Sequence, residues 1–205
     1  MQNPPVRVLL VTFTFLLIAA SLLTALAAIG PVRPNNSLFS IQNFAFMVQA
    51  DFIPVSYDRA VYWMNISDNR SDILGMMAGS SFELAALQKL DQSLDFTLLS
   101  AAQLTHEQLV TIRRPLLTQV TGMKNVLNRL VALPVQNPLA VRNFSTKLDI
   151  VHNLMEQGMP TPGQLVAVTQ LNLDSIPPEG LSPANPSDLP RSLAHFAYIA
   201  ILFRY

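Results

Sequence analysis

Asp149, His152 and Glu156 stand at i, i+3 and i+7, a spacing that lines all three along one side of a helix. A carboxylate three residues before a histidine is the spacing of the inward-facing ligand pair in di-iron helical bundles. A complete site of that kind requires a second such pair and two further carboxylates. Neither His106 nor His195, the remaining histidines, has an acidic residue three positions earlier. The trio therefore reads as a solvated polar edge or a local ion pair, and no metal is expected.

Other routes to catalysis find little material. Cysteine is absent, which removes disulfides, thiolate metal sites, covalently attached haem and thiol nucleophiles. Seven glycines form no phosphate-cradling loop, and neither a zincin motif nor a nucleophile elbow occurs. Thirteen basic and thirteen acidic residues are scattered singly, so no electrostatic footprint for nucleic acid exists. Arg113–Arg114 is the densest basic spot and reads as a solvated helix face. We expect no catalytic residues, no cofactor and no enzymatic activity.

The elements that would position any site begin with an uncharged apolar run from Val8 to Ile29, closed by Gly30 and Pro31 and flanked by Arg7 and Arg33. About 20 apolar residues at 1.5 Å each match the ~30 Å hydrocarbon core of a bilayer. A cleavable secretory signal is the competing reading, with Ala25-Leu26-Ala27 as the small-residue cleavage site. The run exceeds the ~7–15 residues of a signal core, which favours an uncleaved anchor. Ala20, Thr24 and Ala28 recur every four residues, as do Ser21 and Ala25, and small residues at that spacing let membrane helices pack closely. The partners expected are the lipid bilayer and integral membrane subunits, in a hetero-oligomer. A slight basic excess before the run places the N-terminus inside and the rest outside the cytoplasm.

Beyond the anchor the pattern is helical. Ser80 with Glu83 has capping-box spacing and precedes Leu84, Leu87, Leu90, Leu94, Leu98 and Ala101. Thr105 with Gln108 repeats the box before Leu109, Ile112, Leu116, Val120, Met123, Leu127 and Leu130, with Pro115 predicting a kink or break near 111–114. Asn137–Pro138 opens a third stripe, Val141, Phe144, Leu148, Val151 and Met155, ended by Gly158 and Pro160. Thr161, Pro162 and Gln164 start a shorter helix with Leu165, Val168 and Leu171. Short connections predict antiparallel packing of consecutive helices. Residues 37–77 are less legible: 44–52 fits a short strand, 58–64 a helical turn or two, and the aromatics there suit core packing or the lipid boundary. Gly75 and Gly79 read as a turn leading into Ser80.

Residues 174–190 are Pro-rich, a strap or surface loop. The apolar stretch Leu193 to Phe203 follows; it is too short to span a bilayer as a helix. It either fills the domain's own core or meets lipid or another chain through Phe196, Tyr198, Phe203 and Tyr205. The expected fold is thus mainly α: a tail over 1–7, a transmembrane helix over 8–29, an extracytoplasmic bundle-like domain over 31–173, and the strap and terminal segment over 174–205. A non-catalytic accessory or scaffolding subunit of a membrane complex fits this layout, and bacterial respiratory or photosynthetic electron-transfer assemblies contain chains of this type. The alternatives are an extracytoplasmic ligand-binding or sensing module and a protein secreted after signal cleavage.

Overall fold

A computed structural model describes residues 30, 32–171 and 173, together with positions 8, 11–15, 17, 18, 21, 22, 24 and 25. The described residues are mainly helical and contain no strand. The chain divides into two compact units, Met1–Ile53 and Pro54–Tyr205.

In the first unit, every described residue from 8 to 25 is helical. No helix among the described residues is long and apolar enough to cross a membrane; the expected span over 8–29 falls partly outside them. The helix α1, Leu38–Asp51, begins where Asn36 Oδ1 accepts the Leu38 N–H at 2.9 Å. Gln42 fastens the preceding loop to α1, its Oε1 accepting from Val32 N at 2.9 Å and its Nε2 donating to Gly30 O at 3.2 Å. The strand considered for 44–52 is absent, because those residues lie within α1 and its C-terminal turn.

The second unit is built from α2 (Ser56–Met77), α3 (Glu83–Ala101), α4 (His106–Val131), α5 (Pro138–Gln157) and the short α6 (Pro162–Thr169). The leucine stripe of α3 and the apolar stripes of α4 and α5 are buried in one continuous core. Both later capping boxes form as the spacing requires, Thr105 with Gln108 and Thr161 with Gln164. The box expected at Ser80 does not. Ser80 Oγ donates to Met77 O at 2.7 Å, α3 starts at Glu83, and the Glu83 carboxylate turns into the protein. Pro115 causes no break, and α4 runs through it. Gly79 occupies the turn before α3 at φ +70°, a conformation L side chains rarely adopt, and a Cβ there would press on Pro134 O at 3.3 Å.

α2 is a full helix of 22 residues where the sequence suggested one or two turns. Its inner face is chemically mixed: Trp63, Met64 and Ile73 are buried alongside Ser67, Arg70 and Ser71. Hydrophobic periodicity therefore under-reports it. Trp63 stacks on Phe96 of α3 at 4.5 Å between ring centres. Buried hydroxyls on α3 are satisfied within the helix, Ser93 on Leu90 O and Thr97 on Ser93 O.

Consecutive helices α2/α3 and α4/α5 pack against each other, but α2 also packs on α4. Gln119 meets Met64 and Val126 lies nearest Gly75, so both helices climb together in parallel. α3 and α5 likewise run parallel, since Glu83 reaches the residues just before α5 while Asp91 and Asp95 reach Lys147 further along it.

Candidate functional site

Asp149, His152 and Glu156, read as a polar edge or local ion pair, each enter a local charged contact. Asp149 pairs with Lys124 of α4 at 2.6 Å, and His152 Nε2 lies 3.4 Å from Glu156 Oε1. Among the described residues, no group of three or more His, Asp or Glu is arranged to hold a metal ion. His106 opens α4, and His195 lies outside the described residues. Arg113 is half-buried and has a structural partner: its Nε donates to Met155 O at 2.6 Å and its Nη2 to Glu156 O at 3.1 Å, capping the C-terminus of α5. Arg114, one position on, is exposed.

The polar groups that matter most inside the bundle are an ionic triad. Lys147 is fully buried, with Nζ 2.6 Å from Asp91 Oδ1, 2.7 Å from Asp95 Oδ1 and 3.2 Å from Leu171 O. One ammonium cannot neutralise two carboxylates. Burial therefore pushes the Asp95 carboxyl up to about 7, with Lys147 opposing and Asp91 adding to the rise. Asp91 is raised for the same first reason, burial, against the pull of Lys147. On the same helix as Lys147, Asn143 Nδ2 donates to Leu173 O. The triad fixes the path of the chain leaving α6. Sequence reading missed it because Asp91 and Lys147 lie 56 positions apart. A signal was present: Asp91 and Asp95 are four apart on α3, and Lys147 interrupts the apolar run of α5.

A groove of about 900 Å³ opens between α2 and α4. Asp68 and Asp72 line its α2 wall, and Arg114 and Arg129 its α4 wall; no ion pair joins them among the described residues. Gln119 braces the floor, its Nε2 donating to Met64 O at 2.6 Å and Asp68 Oδ1 at 2.8 Å. Gly122 leaves the adjoining wall without a side chain. The volume and the separated charges suit a small polar guest.

No protein-family model, curated protein or solved structure matches the chain. In the first unit, Val8, Val11, Phe13, Phe15, Ile18 and Leu22 are helical and more than half exposed. The polar residues among them do not seek water, since Thr12 Oγ1 donates to Val8 O and Ser21 Oγ to Leu17 O within the helix. α1 carries no charge before Asp51 and exposes Leu38, Ile41, Phe44 and Met47. Of the expected helix-packing positions, Ser21, Thr24 and Ala25 are helical and exposed, whereas Ala20 and Ala28 lie outside the described residues. So do Phe196, Tyr198, Phe203 and Tyr205.

Proposed function

We propose that this chain is a non-catalytic accessory or scaffolding subunit of a larger integral membrane complex. Its 8–29 segment spans the bilayer, and its helical bundle sits on the extracytoplasmic side. One observation carries the reading: the described part of that segment is helical and leaves Val8, Val11, Phe13, Phe15, Ile18 and Leu22 more than half exposed. Six such side chains, each worth about 1.5–3 kcal/mol on leaving water, set a cost on the order of 10 kcal/mol that lipid or a partner helix removes. An uncharged helix that exposes this many large apolar side chains belongs against lipid or another body. The uncharged, partly exposed α1 that follows supports the same placement. Once in lipid, the helix gains affinity from close backbone approach, which the four-residue spacing of Ala20, Thr24 and Ala28 provides.

Alkaline carbonate washing of membranes, followed by mild-detergent purification, tests the reading. The full-length chain is expected in the washed pellet and then with integral subunits in fixed ratio. Release into the wash, or migration alone, refutes it. Protease protection of the C-terminal region in sealed vesicles reports the orientation.

A second reading, an anchored small-molecule-binding module, is favoured by the α2–α4 groove, whose acidic α2 wall and basic α4 wall are not joined by an ion pair among the described residues. A thermal-shift panel of zwitterionic metabolites separates the two. A specific guest raises the melting temperature of a binding module, whereas a scaffold responds only to its protein partner.

A further inference from the structure

One end of the second unit's bundle is sealed in its backbone and open in its side chains. The Glu83 carboxylate is wholly buried and gathers three N–H groups there, Gly79 at 2.7 Å, Gln136 at 3.0 Å and Asn137 at 3.2 Å. Two connections, 78–82 and 132–137, are thereby clamped together. The apolar side chains at this end nevertheless face out: Met76, Phe82, Val131, Leu133 and Leu139 are 39–67% exposed. They come from the end of α2, the α2–α3 turn, the end of α4, the α4–α5 loop and the first turn of α5. Five large apolar groups around one bundle end, beside loops whose Gly79, Gln136 and Asn137 N–H groups are bound by Glu83, form an unfinished core surface.

The chain itself leaves toward this end. Leu171 O is held by Lys147 and Leu173 O by Asn143, so the backbone runs down α5 toward its N-terminus. Asn143 stands five residues from Pro138, about 7.5 Å along the helix axis at 1.5 Å per residue. The chain continues for 32 residues past Leu173. The first long apolar block among them, Leu193–Phe203, follows a spacer of 19 residues with five prolines. At about 3.1 Å per residue such a spacer reaches up to ~60 Å, several times the distance required. A tether of that length gives the block an effective concentration on the order of millimolar, so modest apolar affinity suffices.

We propose that the segment Leu193–Phe203 of the same chain docks onto this end of the bundle and completes its core. Phe196 and Phe203 supply the aromatic mass, and the Asp91–Lys147–Asp95 triad holds the exit that aims the strap. The proposal is independent of the anchoring role, since it concerns only the second unit.

The absence of native cysteine makes the test clean. In the full chain reconstituted in phosphatidylcholine vesicles, Leu133→Cys is reacted with a charged, membrane-impermeant maleimide, with the tail native or carrying Phe196→Asp and Phe203→Asp. Docking with a docked-to-open ratio of about ten slows the native-tail reaction about tenfold relative to the acidic tail. Unchanged circular dichroism of the acidic variant shows that the bundle itself is intact, and Val131→Cys serves as a second reporter. In parallel, a Leu139→Cys, Ile199→Cys chain is cross-linked by a bis-maleimide in a mixture of isotope-labelled and unlabelled protein. Cross-links within one chain are expected. Equal labelling rates with the two tails, which is the result if lipid or nothing covers the patch, overturn the proposal. Cross-links that join labelled to unlabelled chains overturn it in favour of a second copy.

Discussion

Lys147→Met removes the ammonium that lies between two carboxylates in the second unit's core. Lys147 is 0% exposed and sits 2.6 and 2.7 Å from Asp91 and Asp95. Methionine fills much of the same volume, so the change isolates the charge from the cavity. Removing one partner of a buried ion pair leaves an uncompensated charge and costs about 3–5 kcal/mol. In a domain of this size that lowers the melting temperature by about 10–20 °C. The loss must also depend on pH. The folded protein holds the Asp95 proton up to about 7, whereas an exposed aspartate releases it near 3.8. Without Lys147 the two facing carboxylates take up protons more readily still, so the penalty is largest at pH 8 and smaller at pH 5. Urea unfolding of the full chain, followed by circular dichroism at both pH values, measures it. Adding Asp91→Asn and Asp95→Asn to Lys147→Met should recover most of the stability, because a neutral replacement no longer buries a lone charge. A loss below about 1 kcal/mol at pH 8, or a larger loss at pH 5 than at pH 8, refutes the reasoning.

Asp95→Asn alone leaves one ammonium facing one carboxylate. Between pH 3.8 and about 7 the folded wild type binds more protons than the unfolded chain, so its stability falls as pH rises through that window. The variant should show a flatter pH–stability curve and higher stability at pH 8, read from urea midpoints. Glu83→Gln weakens a carboxylate that accepts three backbone N–H groups and should lower stability by about 2–3 kcal/mol, again by urea midpoint, with no change in helix content of the folded state. Leu17→Arg places a charge in the apolar segment at a cost of about 2.5–3.5 kcal/mol if it sits mid-bilayer, and should move the chain from pellet toward supernatant in carbonate extraction.

Most of the helical architecture was legible in the chain. The stripes of α3, α4 and α5 were visible because a buried face repeats every three or four residues. The starts of α4 and α6 were visible because Thr with Gln three positions later satisfies end groups locally. α2 was under-read because its inner face includes Ser67, Arg70 and Ser71, whose burial depends on partners elsewhere in the fold. The Ser80–Glu83 box failed for a related reason. Glu83 obeyed the spacing rule, but N–H groups on a loop 53 residues away competed for its carboxylate.

What the residues determined by themselves is local: where helices begin and end, which face is apolar, that segment 8–29 is uncharged, and that no thiol chemistry exists. Those properties arise from contacts within one or two turns, which neighbouring residues specify. What only the tertiary structure decided is which distant polar groups meet. The parallel pairing of α2 with α4 and of α3 with α5 creates the groove, the Lys147 triad and the Glu83 clamp. Each depends on a desolvated site assembled from separate helices, and desolvation is a property of the packed bundle rather than of any stretch of chain.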